Sequence, residues 1–273
     1  MVAASEGGDF YGYRADESAY PGGLDELLAS KAGLLEAGKK LIKNAPALDL
    51  AQVEFLPPLQ RPGKIICLGL NYKSHSEEFG FKKADYPEFF TRFPTTLVGH
   101  NSPMIKPMDS DQFDYEGELA AVIGGEGRRI PKDEALDYIA AYSIFNDGSV
   151  RNYQFRGSQW LPGKNFDASG GFGPWLITAD SLPAGAKGLH LETRLNGQVL
   201  QSADTGDMIF DLAEQISLAS QFTTLKPGDM FITGTPGGVG QARTPQVFMK
   251  PGDVCEVEIE KIGVLRNHVI EEG

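Results

Sequence analysis

Apolar residues recur along this chain in short blocks, and their spacing predicts a strand-rich fold with a few helices. Lys64–Leu70 (KIICLGL) is a compact apolar run beside turn residues, the pattern of a strand buried on both faces. Glu118–Ile123 and Ala140–Phe145 read the same way. Between them Pro131–Ile139 is expected to be a short helix that opens on Pro, where a missing N–H costs nothing. Leu189–Asn196 and Gln198–Ser202 flank Asn196-Gly197, a dipeptide that tolerates positive φ and so closes a tight hairpin. Near the C-terminus Cys255, Val257 and Ile259 alternate with Glu256, Glu258 and Glu260, which predicts a half-exposed strand. Lys-Pro-Gly-Asp occurs at 226–229 and again at 250–253, each time ahead of a strand, as turn chemistry.

Helical spacing appears in two places. Leu24, Leu27, Leu28, Leu34 and Leu35 put helical material over Leu24–Ile42, weakened at Gly33 and Gly38. Asp211–Phe222 is the better helix, with Asp211 as its N-cap and Leu212, Ile216 and Ala219 on one face. The residues before Leu24 read as an irregular start. Phe55–Gly63 (FLPPLQRPG) is a connector, because each Pro fixes φ and removes a donor. It divides a small N-terminal unit, residues 1–60, from a main domain, residues 61–273. The fold class expected is α+β, mostly β, with peripheral helices.

Composition narrows the function. A chain of 273 residues with 41% apolar content buries a core without staples. Its formal net charge of −12 opposes nucleic acid and anionic membrane as partners, since both need phosphates neutralised. Cys67 and Cys255 form no closely spaced pair, which predicts a reducing compartment, the cytoplasm by default. No apolar run reaches the about 18 residues that a membrane span needs, and the first residues lack the basic start and apolar core of a signal peptide.

Asp114-Tyr-Glu-Gly-Glu118 carries the strongest chemical signal. Residues two apart in an extended segment share a face, so Glu116 and Glu118 project together and repel unless a cation lies between them. Asp147 ends the strand-like run AAYSIFN and offers a third carboxylate. Three hard oxygen donors without Cys or a nearby His favour Mg²⁺ or Mn²⁺ over Zn²⁺. A lone E-x-E is most often the wet face of an edge strand, and Glu256-Val-Glu258 is read that way. In a helical turn His75 and Glu78 are three apart and face each other, so the carboxylate can hold the imidazole's tautomer and raise its basicity; Glu77 competes for that place. GTPGGVG at 234–240 lacks the Lys-Ser/Thr ending of a phosphate loop, and no G-x-S-x-G nucleophile motif is present.

Five blocks in order, LGLNYKSHSEE (68–78), DYEGELAAVIG (114–124), NDGSVRNYQ (146–154), GKNFDASGGFGPW (163–175) and ITGTPGGVG (232–240), resemble the fumarylacetoacetate hydrolase family. The resemblance runs from about Lys64 to the C-terminus and is nearest the acylpyruvate hydrolases. It implies a mixed β-roll or β-sandwich core, usually in a homodimer, with one Mg²⁺ or Mn²⁺ on Glu116, Glu118 and Asp147. It further implies a His75–Glu78 dyad on a lid, from about Ser74 to Tyr86, and Lys164 beside the metal. Arg151, with Gln154 nearby, and Thr235 in its Gly-rich loop would contact a small 2-oxo acid. There are departures: Asn71 stands where the original hydrolases carry another carboxylate, Arg92 lies in a block where many acylpyruvate hydrolases have Lys, and Asn152 replaces a frequent Asp.

The function expected is metal-dependent hydrolysis of a carbon–carbon bond in an acylpyruvate-type 1,3-dicarbonyl acid. Rivals are decarboxylation of oxaloacetate, isomerisation or hydration of a dienoic oxo acid, and a metal-binding family member without catalysis.

Overall fold

The apolar runs of the sequence become the central strands of two packed sheets. A computed structural model of the chain describes residues 1–29, 31–78 and 85–273. In chain order, β1 (Val2–Glu6) and β2 (Asp9–Tyr13) precede α1 (Leu24–Leu27) and α2 (Lys31–Asn44). Strand β3 (Ile65–Gly69) runs into helix α3 (Lys73–Glu78), then β4 (Glu88–Arg92), β5 (Leu97–Val98), β6 (Met104–Lys106) and β7 (Phe113–Asp114). The central antiparallel pair, β8 (Gly117–Ile123) and β9 (Ile139–Asn146), leads to β10 (Ser149–Val150) and two single-turn helices, α4 (Arg151–Gln154) and α5 (Leu161–Lys164). Then come β11 (Gly170–Thr178), β12 (His190–Leu195), β13 (Gln198–Asp204) and α6 (Leu212–Phe222). The chain finishes on β14 (Met230–Ile232), β15 (Val254–Ile259) and β16 (Gly263–Glu271).

Among the described residues one sheet has the order β4-β3-β14-β8-β9-β11-β5 and the other β13-β12-β15-β16-β6. Both are mixed: β14 runs parallel to β3, β11 to β5 and β16 to β6, while the other neighbours are antiparallel. Leu119, Ala121 and Ile144 from the first sheet share a core with Leu191, Val257 and Leu265 from the second and with Ile216 of α6. The alternate residues Ala120, Val122 and Phe145 face the other way and join Leu28, Leu34 and Leu59. Strand β8 is therefore buried on both faces, as its unbroken apolar run predicts. At its start the sheets come very close. A Cβ on Gly117 would lie 2.1 Å from Thr193 Oγ1, so glycine is required between Glu116 and Glu118.

The mostly-β class with peripheral helices matches the expectation, as do the Asn196-Gly197 turn (φ 52° and 79°) and the Asp211 cap, whose carboxylate accepts from Glu214 N at 2.9 Å. Two expectations are corrected. The N-terminal residues form the β1–β2 hairpin rather than an irregular start, because Gly7 and Gly8 supply the positive φ that its turn requires. Pro131–Ile139 is a chain of three-residue turns with a 3₁₀ helix only at Ala135–Tyr138. The amides of Glu134 and Asp137 bond back three residues, to Pro131 and Glu134.

The two-faced burial of β8 makes its side chains the sensitive positions. Leu119→Ala should cost about 2–5 kcal/mol of unfolding free energy. Val199→Ala, on an exposed position of β13, should change stability by about 0.5 kcal/mol or less. Urea denaturation of both variants checks this, and similar midpoints would contradict the packing described.

Candidate active site

The site is assembled where β8 begins and β9 ends. Asn146 Oδ1 accepts from Glu116 N at 3.1 Å, and Asp147 N donates to Glu116 O at 2.8 Å. These bonds tie the E-x-E segment to the strand end carrying the third carboxylate. Oxygens of Glu116, Glu118 and Asp147 all lie within 4.8 Å of one another, and all three residues are buried.

Burial of carboxylates demands compensation. Lys164 Nζ, at the end of α5, donates to Glu116 Oε2 and Asp147 Oδ2, each at 2.6 Å. Arg151, at the start of α4, puts Nη1 2.7 Å from Glu116 Oε1 and donates from Nε to Asp114 Oδ2 at 2.9 Å. Arg92 pairs with Asp147 and also donates to Gly148 O and Ser169 Oγ. Burial pushes the Glu116 carboxyl up, but Lys164 and Arg151 outweigh it and hold the group below its usual range. Glu118 goes the other way. Burial raises it well above the carboxylate range and the neighbouring Asp147 and Glu116 raise it further, against Lys164 and a hydrogen bond from Gly234 N. Four carboxylates thus face three cations, and among the described residues Glu118 has no ion-pair partner. A hard divalent cation at the three clustered carboxylates would remove that excess, and their all-oxygen donor set suits Mg²⁺ or Mn²⁺.

His75 lies above this cluster on α3. It is 6% exposed, and its Nδ1 is 3.7 Å from Glu78 Oε2, so the i,i+3 pairing is present as a contact rather than a hydrogen bond. Glu78 Oε1 accepts from Gly238 N at 2.6 Å, and Ser74 Oγ accepts from Gly237 N at 3.1 Å. The Gly-rich loop after β14 thus holds α3 in place. Of the expected lid, residues 79–84 lie outside the described residues, and so does the side chain of Glu77.

His75, Glu116, Glu118, Arg151, Lys164 and Thr235 line one cavity of about 400 Å³, mouth included. Gln154 lines it too, and its Oε1 accepts from Arg151 Nη1 at 2.9 Å. Thr235 is less free than expected: its hydroxyl donates to Gly117 O and accepts from Gln201 Nε2. Arg151 Nη2 is 2.9 Å from Asp114 Oδ2, yet among the described residues it finds no acceptor in hydrogen-bonding geometry. That leaves a buried donor available to an anionic ligand.

Sequence reasoning missed Asp114. It is fully buried, holds Arg151, and accepts from the amides of Gly240 and Gln241, so it fastens the Gly-rich loop to the arginine. Its place in D-x-E-x-E, two before Glu116, was the available signal. The departures also find places. Arg92 supports Asp147; Asn71 binds the backbone of Phe210 and Thr233; Asn152 Oδ1 accepts from Ser110 Oγ.

Comparison with known proteins agrees with this geometry. The model of the fumarylacetoacetate (FAA) hydrolase C-terminal domain matches residues 64–270. The chain belongs to the fumarylacetoacetate hydrolase family. A relative in the family, the mitochondrial oxaloacetate tautomerase FAHD2A of Bos taurus, is 39% identical over 272 residues, covering 98% of this chain and 86% of its own length. Fumarylacetoacetate hydrolase from Exiguobacterium antarcticum superposes with a TM-score of 0.85 at 35% identity, covering 99% of this chain and 95% of that one. Maleylpyruvate hydrolase from Sphingobium sp. SYK-6, solved with manganese(II) and pyruvate, superposes with a TM-score of 0.82 at 27% identity, covering 99% and 96%. The fold matches the family core expected from the resemblance. Among the described residues no helix is long and apolar enough to cross a membrane.

The imbalance at Glu118 gives a direct test of metal binding. Glu118→Gln should weaken Mn²⁺ or Mg²⁺ binding by on the order of tenfold or more, since it removes a charged ligand. Stability of the metal-free protein should not fall, because the neutral amide replaces a carboxyl whose charged form burial already disfavours. Calorimetric Mn²⁺ titration and metal-free denaturation measure the two effects; unchanged Mn²⁺ affinity would remove Glu118 from the ligand set.

Proposed function

We propose that this chain is an enzyme moving a proton at C3 of a short 2-oxo diacid, interconverting the keto and enol forms of oxaloacetate. The observation that carries the reading is His75, with Glu78 3.7 Å behind it, lining one cavity with Glu116 and Glu118 of the buried carboxylate cluster. Relatives named as oxaloacetate tautomerases, alike over nearly the whole chain, support the substrate class.

In this reading Glu116, Glu118 and Asp147 hold one Mg²⁺ or Mn²⁺. The bound cation would polarise the 2-oxo and carboxylate oxygens of the substrate as a Lewis acid. Arg151, through Nη2, and Gln154 receive a substrate carboxylate, and Thr235 shapes the adjoining wall. His75 removes a proton from C3, while Glu78 fixes the ring and stabilises the imidazolium. The C–H electron pair becomes the C2–C3 double bond, and negative charge collects on the 2-oxo oxygen. Lys164 stabilises that charge until the oxygen takes up a proton, giving the enol with no change in composition. The reverse sequence restores the keto acid.

Hydrolysis of an acylpyruvate is the second reading. The same His75–Glu78 pair suits activation of water, and the similar fold of a maleylpyruvate hydrolase favours it. Decarboxylation of oxaloacetate would pass through the same kind of enolate. We further propose a homodimer, to be checked by sedimentation. A reducing compartment, the cytosol, suits the two buried free thiols.

Relaxation of the enol absorbance of freshly dissolved oxaloacetate tests the main reading. Mg²⁺-loaded protein should accelerate it, and His75→Ala should lose about 10²–10⁴-fold of the rate. Glu78→Ala should lose less, since it removes orientation rather than the base. Cleavage of an acylpyruvate with no acceleration of enol relaxation would replace tautomerisation by hydrolysis.

A further inference from the structure

The cavity has two unlike kinds of lining. Glu116, Glu118, Arg151 and Lys164 give it charged lining, whereas Leu68, Leu70, Phe90, Phe155 and Trp160 give it apolar lining, with Lys164 Nζ 5.0 Å from the centre of the Phe90 ring where the two meet. The carboxylates of a 2-oxo diacid belong with the charged residues, so an apolar extension from C3 of the acid must meet the apolar ones.

Trp160 is the largest of these apolar residues, and its place is closely defined. Its indole packs on the backbone of Gly69: a Cβ added there would lie 2.0 Å from Cζ3 and 2.5 Å from Cη2. Phe90 meets it edge to face, with ring centroids 5.6 Å apart. Trp160 is also the N-cap of α5, the single turn that ends on Lys164. That turn packs directly on α4. A Cβ on Gly163 would come within 2.4 Å of Gln154 N and Cα, so the two helices are in backbone contact. The indole is therefore carried by the same short turn as Lys164 and lines the same cavity.

We propose that Trp160, backed by Gly69 and Phe90, is a specificity-determining residue that limits the length of the group on C3. The site then takes compact 2-oxo acids and rejects those with longer apolar extensions. This rests on the reading of the cavity as a 2-oxo acid site, and deepens it by naming what sets substrate size. A hydrophobic wall discriminates through the space it denies, and each carbon refused or admitted has a measurable effect.

The test uses the Mg²⁺-loaded protein and two probes with one 2-oxo acid-like head and different lengths, oxamate and N-butyl oxamate. Titration calorimetry gives the ratio of their affinities for the wild type, Trp160→Ala and Trp160→Phe. Trp160→Ala should shift that ratio toward N-butyl oxamate by on the order of tenfold or more. Trp160→Phe, which keeps a shorter ring against Gly69, should shift it less in the same direction and serves if the alanine variant does not fold. A ratio unchanged in the folded variants, with oxamate still bound, overturns the wall alone. A wild type that binds neither oxamate and leaves oxaloacetate unaltered overturns the functional reading and the wall with it.

Discussion

Asp114, Glu116, Glu118 and Asp147 are all buried, and the last three bring oxygens within 4.8 Å of one another where β8 begins and β9 ends. Their mutual repulsion is the constraint around which the site is organised. Water cannot screen them there, so fixed cations must. Lys164 spans Glu116 and Asp147, Arg151 spans Asp114 and Glu116, and Arg92 takes the other side of Asp147. Each cation comes from a different short element, so neutralising the cluster also fixes β4, α4 and α5 relative to the central strands. Glu118 lacks such a partner among the described residues, and that asymmetry points to a metal at the cluster.

The same network reaches the base. Asp114 accepts from the amides of Gly240 and Gln241, while Glu78 and Ser74 accept from Gly238 and Gly237. One Gly-rich loop therefore links the arginine of the cavity to the helix carrying His75. α3 approaches this loop closely at Gly237, where a Cβ would lie 3.1 Å from both Ser74 Cβ and Glu78 Oε1, tighter than ordinary contact. The sequence that looked like a phosphate loop is a docking surface for α3.

The site was legible in the sequence where its logic is local. Glu116 and Glu118 follow from two-residue periodicity, Asp147 from a strand end, and the His75–Glu78 contact from helical spacing. The strands were equally readable where burial on both faces left continuous apolar runs, as in β3, β8 and β9. Partnerships across long separations were not readable. Arg92 meets Asp147 from 55 residues away and Asp114 meets Gly240 from 126, and neither has a local pattern to announce it. Lys164 and Arg151 came from family resemblance, because a lone cation in a loop is most often solvated. The β1–β2 hairpin was missed because its strands carry weak alternation and depend on packing.

The chemistry left open by the charged lining of the cavity turns on its apolar lining. Stabilising an enolate serves tautomerisation, decarboxylation and hydrolysis alike, so the cluster and Lys164 define a class of reaction. The reactions differ in what must stand beside C3. Tautomerisation needs one base and no further reactant. Hydrolysis needs a water and room for an acyl group that leaves as an acid. Trp160, packed against Gly69 and Phe90, lines the same cavity as Glu116 and Lys164. His75 and Glu78 could serve either reaction, so under the proposed wall the space beside Trp160, more than the identity of the base, would decide between a compact diacid and an acylpyruvate.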